Sequence, residues 1–444
     1  MLYIKNGRVI DPVTKTDKEL DILVCDGKIL KAADAETVER YAARLQQEDM
    51  EKPVRVIDAK GCVVAPGLTD VHVHFRDPGF TYKEDIFSGA KAALAGGITT
   101  VVLMANTKPV VDEEETLQYI LEKGKQTGLH VKTCAAISKG LKGKELVDMA
   151  RLKEKGAAGF TDDGIPLLDE AFVKKAMEEA VRLQMPLSFH EENPAYIINN
   201  GINKGKASEA LGLGGSDRMA EISMIARDIE LAKQTGACVD IQHISTKEGV
   251  ELVRKARKQY PNIHAEATPH HFSLTEEAVV QHGTLAKMNP PLRTEEDRQA
   301  IIQGLADGTI EIIATDHAPH AAEEKKKTIT EAPSGIIGLE TALPLAVTNL
   351  VRPGYMTFMQ VLERMVTGPA ALYGFEPDSV QEGKKADLII FNPDEQFVYE
   401  KALSKSQNSP FLGQALYGKI KMTITDGNIV YECGQPYNNT NEMR

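Results

Sequence analysis

VVAPGLTDVHVHF (63–75), KEDIFSGAKAALAGG (83–97) and TTVVLMAN (99–106) follow one another in the chain, and their order decides the fold. The first and third are apolar runs of strand length. The second places Ile86, Phe87, Ala90 and Leu94 on one helical face and closes with two glycines. Strand, helix, strand is the βαβ unit of a parallel sheet. Further strand candidates continue the alternation: VKTCAAIS (131–138), AAGFTDD (157–163), PLSFHEE (186–192), VDIQHIS (239–245), IHAEATPHH (263–271) and IEIIATDH (310–317). Eight such units in roughly 300 residues predict an α/β protein with a (β/α)8 TIM-like barrel. A doubly wound open sheet is the alternative, but no GxGxxG follows the first strand.

Outside this zone the pattern changes. LYIKNGRVI (2–10), ELDILVCDGKIL (19–30) and VRVIDAKGCVVAPG (54–67) read as short strands, with NG and DG as hairpin signals. The charged stretch 33–52 reads as a small helix or a solvated loop. KKADLIIFNP (384–393) and LYGKIKMTITDGNIVYEC (416–433) repeat the style before a polar tail. The expected division is therefore 63–370 for the barrel, with 1–62 and 371–444 forming one small β-rich domain from both chain ends. Two long irregular stretches, 193–217 and 318–337, each follow a strand and are candidates for substrate loops.

The 444 residues are 42% hydrophobic and 26% charged, with a net charge of −12, which are globular proportions without a basic tract. Nucleic acid and anionic membrane surfaces are not the expected partners. Five scattered cysteines without a CxxC pair fit reduced thiols, not a disulfide framework. The first residues lack the pattern of a signal peptide, and no apolar run approaches the ~20 residues of a membrane span. A cytoplasmic enzyme is the expectation.

The eleven histidines are not evenly placed. His72 and His74 end the first barrel strand, His190 the fifth and His243 the sixth; Asp316 and His317 follow the eighth, and Asp162 and Asp163 the fourth. All of these positions open onto the carboxyl-terminal face of a barrel, where catalytic groups collect. His72 and His74, one residue apart, point to the same side of a strand ~6.6 Å apart along it, a spacing that suits two ligands of one metal. Imidazoles and carboxylates without thiolates favour Zn²⁺ or a similar divalent ion. Any one of these histidines alone reads as an ordinary hydrogen-bonded polar residue. His130 and His282 read as surface residues on helices.

DVHVHFRDPG (70–79), MANTKP (104–109), GFTDDG (159–164), SFHEE (188–192), QHIS (242–245), MNPPLR (288–293) and ATDHAPH (314–320) together resemble the amidohydrolase superfamily, and within it the bacterial class I dihydroorotases. The resemblance runs from Asn6 to TDGNIVYE (425–432). It implies reversible cyclisation of N-carbamoyl-L-aspartate to L-dihydroorotate, with one or two Zn²⁺ per subunit. By that resemblance His72, His74 and Asp316 hold one metal, His190 and His243 the other, and Asp163 bridges them, with Asp162 left as a neighbouring or turn residue. Asp316 is the implied general base and acid. His74, Arg76, Asn106, Asn289, His320, Ser334 and Gly335 are the implied substrate contacts. Arg76 is the discriminating one, because a guanidinium can fork onto the substrate carboxylate that hydantoin and allantoin lack; the competing role is a salt bridge to Asp77. Thr161 stands where related hydantoinases place a carboxylated lysine, so no modified lysine is expected. His270 and His271 are expected to be structural. A homodimer is the expectation, as the commonest assembly of such chains, and some bacterial relatives by this resemblance associate with aspartate transcarbamoylase. The competing readings are a hydantoinase or allantoinase, and a non-catalytic barrel subunit.

Overall fold

The computed structural model describes residues 1–48 and 53–435. The end of the charged stretch 33–52 and the polar tail beyond 435 therefore lie outside the described residues. The described part of that stretch is a helix, Ala35–Glu48.

The amino-terminal strands are β1 (Leu2–Asp11), β2 (Thr16–Cys25), β3 (Lys28–Ala33), β4 (Arg55–Asp58) and β5 (Val63–Pro66). The barrel strands are β6 (Leu68–Val73), β7 (Ile98–Leu103), β8 (His130–Thr133), β9 (Phe160–Thr161), β10 (Leu187–Phe189), β11 (Val239–Ile241), β12 (Ile263–Ala267) and β13 (Ile312–Ile313). The chain ends with β14 (Leu388–Val398), β15 (Ala415–Thr425) and β16 (Asn428–Glu432).

β6, β7 and β8 form one parallel sheet, and β9 to β13 form another in sequential order. Single parallel bridges, Ala135 to Phe160 and Val73 to His317, join the two sheets at both margins. The eight strands thus close on themselves, as the alternating pattern predicts. Several strands are only two or three residues long. The helix after β6 runs Ile86–Ala95, capped by Asp85 and Ser88 in a reciprocal box and ended at Gly96. Ile86, Ala90 and Leu94 are buried as expected, but Phe87 faces outward. Gly89 is required where it is: a Cβ there would meet the Phe75 ring at 2.3 Å.

The run 63–75 is not one strand. It breaks at Gly67, and β5 joins the small sheet, pairing parallel with β1 and antiparallel with β14. This small sheet has the order β16-β15-β14-β5-β1-β2-β3, with β4 also on β1. Its apolar face, including Ile4, Val9, Ile22, Val64, Leu388 and Ile424, makes a core of its own. The two DG dipeptides are hairpin turns with positive φ at Asp26 and Gly27 and at Asp426 and Gly427. The NG at Asn6–Gly7 is different. Asn6 takes φ 61° inside β1, where the register with β2 slips, so it is a bulge and not a turn. His130 likewise departs from expectation: it starts β8 and is half-buried against Asp387, whereas His282 ends a helix as an exposed residue.

Candidate active site

The carboxyl ends of the barrel strands deliver six buried groups to one point. β6 carries His72 and leads to His74, β9 leads to Asp163, β10 to His190, β11 to His243 and β13 to Asp316. Asp163 lies between the histidine pairs: its Oδ1 is 3.3 Å from His72 Nε2 and 3.8 Å from His190 Nδ1, and its Oδ2 is 3.3 Å from His74 Nε2. Asp316 Oδ1 is 3.0 Å from His74 Nε2 and 3.5 Å from His72 Nε2. His190 Nδ1 and His243 Nε2 face each other at 3.0 Å. Three triads could each hold a cation: His72, His74 and Asp163; His72, His243 and Asp316; and Asp163, His190 and His243.

These groups fit a divalent metal on structural grounds. His72 Nε2 is buried in the centre without a hydrogen-bond partner. Its other nitrogen, Nδ1, is 2.8 Å from Glu266 Oε2 on β12, which selects the tautomer that leaves Nε2 free. Asn106 does the same for His74, accepting from Nδ1 at 3.0 Å, while its amide donates to the Asp163 carboxylate at 3.1 Å. Burial would raise the Asp163 carboxyl, but the surrounding His72, His74 and His190 outweigh it and hold it well below the usual range. Burial, reinforced by His190 and His72, keeps His243 well below its usual range and therefore neutral, as a ligand must be. The donors are imidazole nitrogens and carboxylate oxygens, a set for zinc-like ions. Arg76, His243 and Asp316 all have positive φ, a cost that clusters at functional sites.

Asp162 turns away. It accepts from the amides of Ile137 at 2.7 Å and Ser138 at 3.0 Å and from the Ser138 hydroxyl, so it caps the β8 loop. Asp77 is also occupied elsewhere, by Lys123 at 2.6 Å, Tyr119 at 2.9 Å and the Ile86 amide. Arg76 donates through Nε to Pro319 O at 3.3 Å and makes no ion pair among the described residues.

A cavity of about 200 Å³ opens on the cluster, lined by His74, Arg76, Asn106, Asp163, His190, His243, Asn289, Asp316 and Ser334 among others. Of the expected substrate contacts, His320 and Gly335 adjoin the lining residues Ala318 and Ser334. His320 Nε2 meets Ser334 O at 2.8 Å, and the Gly335 amide donates to Lys287 O at 2.9 Å. His317 receives the Gly338 amide at 3.2 Å on Nδ1. His270 and His271 sit on a short helix, Pro269–Ser273; His271 is held between Thr268 and Pro290 O.

Sequence reasoning missed Glu266, Glu192 and Asn200. Glu192 is 3.4 Å from His190 Nε2 and receives the Asn289 amide; Asn200 links it to the Ser334 hydroxyl, which donates to Asn200 Oδ1 at 2.9 Å. A glutamate flanked by the apolar, buried Ala265 and Ala267 in IHAEA was the available signal for Glu266.

The chain belongs to the amidohydrolase family, whose model matches residues 63–430. Within that class its relatives are more particular. It is 53% identical to the dihydroorotase of Clostridioides difficile strain 630 over 433 residues, covering 98% of this chain and 100% of the relative. It is 50% identical to the dihydroorotase of Clostridium acetobutylicum over 434 residues, covering 97% and 100%. Among solved structures, the L-hydantoinase (dihydropyrimidinase) of Arthrobacter aurescens superposes with a TM-score of 0.85 at 25% identity, covering 98% of this chain and 97% of that one. The D-hydantoinase of a Thermus species, at 23% identity and a TM-score of 0.82, shares the fold.

Proposed function

We propose that this chain is a dihydroorotase, interconverting N-carbamoyl-L-aspartate and L-dihydroorotate in pyrimidine (UMP) biosynthesis. Full-length relatives of that name at about half identity support the activity. One observation carries the choice of substrate: a guanidinium, Arg76, lines the cavity beside the cluster without an acid of its own. This half-buried guanidinium has no ion-pair partner among the described residues, and a substrate carboxylate would supply one through a two-pronged, charge-assisted contact.

The proposed cation is zinc, one or two per subunit, with His72, His74 and Asp316 on one side, His190 and His243 on the other, and Asp163 between. When bound, such an ion polarises the ring carbonyl and makes a water more acidic. Asp316 is the proposed general base and acid: it takes a proton from the attacking water and delivers it to the ring nitrogen as the C–N bond breaks. The hydroxyl stays on carbon and the proton ends on nitrogen, so opening consumes one water and closure releases it. Arg76 with Asn289 and Ser334 orients the ring. His74 and Asn106 carry a double duty, since both line the cavity while Asn106 holds His74 and Asp163. His320 and Gly335, next to the lining residues Ala318 and Ser334, are the remaining proposed substrate contacts.

The same reading assigns the hydrolase to 63–370 and the small domain to 1–62 and 371–444, with β5 lent to the small sheet. It also includes a cytoplasmic homodimer, the commonest assembly of such chains, and the association with aspartate transcarbamoylase that the resemblance offers from some bacterial relatives. No helix among the described residues is long and apolar enough to cross a membrane.

Hydrolysis of L-dihydroorotate, hydantoin and allantoin before and after chelation, and with zinc restored, tests the reading. Turnover of dihydroorotate alone, lost on chelation and regained with zinc, is expected. A metal-loaded protein that opens a neutral ring and leaves dihydroorotate intact would make it a hydantoinase or allantoinase. Opening of no ring would make it a non-catalytic barrel subunit.

A further inference from the structure

Two loops contribute to the cavity wall, 318–320 after β13 through Ala318 and 332–335 through Ser334. Neither is held by a strand ladder. Each main-chain carbonyl of the second loop is instead gripped by a side chain from elsewhere. Lys287 donates to Ala332 O at 2.7 Å, Lys325 to Pro333 O at 2.9 Å and Gly335 O at 3.0 Å, and His320 Nε2 meets Ser334 O at 2.8 Å.

A further tie, besides the Ala318 amide on Ile336 O at 3.0 Å and the Gly335 amide on Lys287 O at 2.9 Å, comes from outside the barrel. Asn408 lies in the segment between β14 and β15 and is 2% exposed. Its amide nitrogen donates to Ala318 O at 2.9 Å and to Gly335 O at 3.0 Å, and its amide oxygen accepts from His320 N at 3.0 Å. Its own carbonyl receives the Ile337 amide at 3.0 Å. Both donors of the carboxamide and its acceptor are thus in use, a geometry no other side chain of that size reproduces. Two of the gripped residues are themselves, or adjoin, residues that face the cavity: Ala318 lines it, and Gly335 follows Ser334, which lines it. The loops are close enough that a Cβ on Gly335 would sit 2.7 Å from Ala318 O.

We infer that Asn408 is a positioning residue of this enzyme: from the carboxyl-terminal segment it locks the two loops that contribute to the cavity wall, and so sets how the substrate sits at the metal cluster. The inference rests on the proposed dihydroorotase reading, but it touches no metal ligand. Asn408 therefore affects substrate placement and leaves metal loading alone.

The test compares wild type, Asn408→Ala, Asn408→Ser and Asp11→Ala for zinc content, melting temperature, kcat and KM on L-dihydroorotate. Asp11 is a fully buried clamp in the small sheet, accepting from Ser379 and Val380, and reports what plain destabilisation does. The Asn408 variants are expected to keep full zinc content and to raise KM about tenfold or more, with Asn408→Ser milder than Asn408→Ala because a hydroxyl restores one bond. Asp11→Ala is expected to lower the melting temperature with KM unchanged. Unchanged KM in a folded, zinc-loaded Asn408 variant overturns the inference, as does an equal KM change in Asp11→Ala. Asn408→Ser is the deciding variant if Asn408→Ala does not fold. A wild-type protein that leaves dihydroorotate intact defeats the dihydroorotase reading instead, and is distinguishable from either result.

Discussion

Asp162 accepts two backbone amides and a hydroxyl at the end of β8, while Asp163, one residue on, stands among three imidazoles. In sequence the choice of Asp163 rested on the family resemblance alone, because TDDG is also a plain turn signature. Only the direction each side chain takes after β9 separates them. The division predicts opposite phenotypes. Asp162→Ala should cost about 1–3 kcal/mol of stability, the usual range for orphaned buried donors, while retaining zinc. Asp163→Asn should keep the fold and lose zinc, measured by metal analysis of dialysed protein alongside urea unfolding. Arg76 and Asp77 posed the same problem: adjacent opposite charges suggest a salt bridge, and only the structure shows Asp77 engaged by Lys123 and Tyr119.

At the scale of the element, β6, β9, β10, β11 and β13 carry or lead directly to the clustered residues, so the strand-end histidines were readable from the alternation alone. What was not readable is support between strands. Glu266 lies on β12, far in sequence from His72, yet fixes that imidazole at 2.8 Å. Its neighbour Asp240 on β11 is pushed well above the carboxylate range by burial and by the nearby Glu266. Glu266→Gln removes the charge that strengthens His72 as a ligand and should weaken zinc affinity about 10–100-fold without unfolding the barrel, checked by competition with a chelating dye. Turn chemistry was legible only in part. The DG dipeptides make hairpins, but Asn6–Gly7 spends the same left-handed backbone on a bulge within β1, a choice made by the strands pairing on both sides.

For the whole molecule, the alternating strands announced a barrel and the two β-rich flanks announced a shared sheet. The seam between them was hidden, because Val63–Pro66 is as apolar as the barrel strand that follows it. Glu340 marks another part of that seam, accepting the Leu403 amide at 2.8 Å and the Ser404 amide at 3.3 Å. Burial raises its carboxyl from 4.5 to about 7, against the opposing effect of those amides. A carboxyl raised in the folded state contributes stability that is full below pH about 4.5 and is lost as pH rises through about 7. Urea midpoints at pH 5 and pH 8 should therefore show Glu340→Gln gaining on wild type as pH rises. A constant difference between the two proteins would contradict the assignment.

The central claim is that a barrel shared with hydantoinases is directed to an acidic ring by Arg76. The most direct measurement is kcat/KM of wild type and Arg76→Gln, both zinc-loaded, on L-dihydroorotate and on 5,6-dihydrouracil, the same ring without the carboxylate. The account predicts a loss of about 10²-fold or more on dihydroorotate, as for a lost charge-assisted pair, with dihydrouracil turnover nearly unchanged. Equal losses on both rings, or none on dihydroorotate, would contradict it.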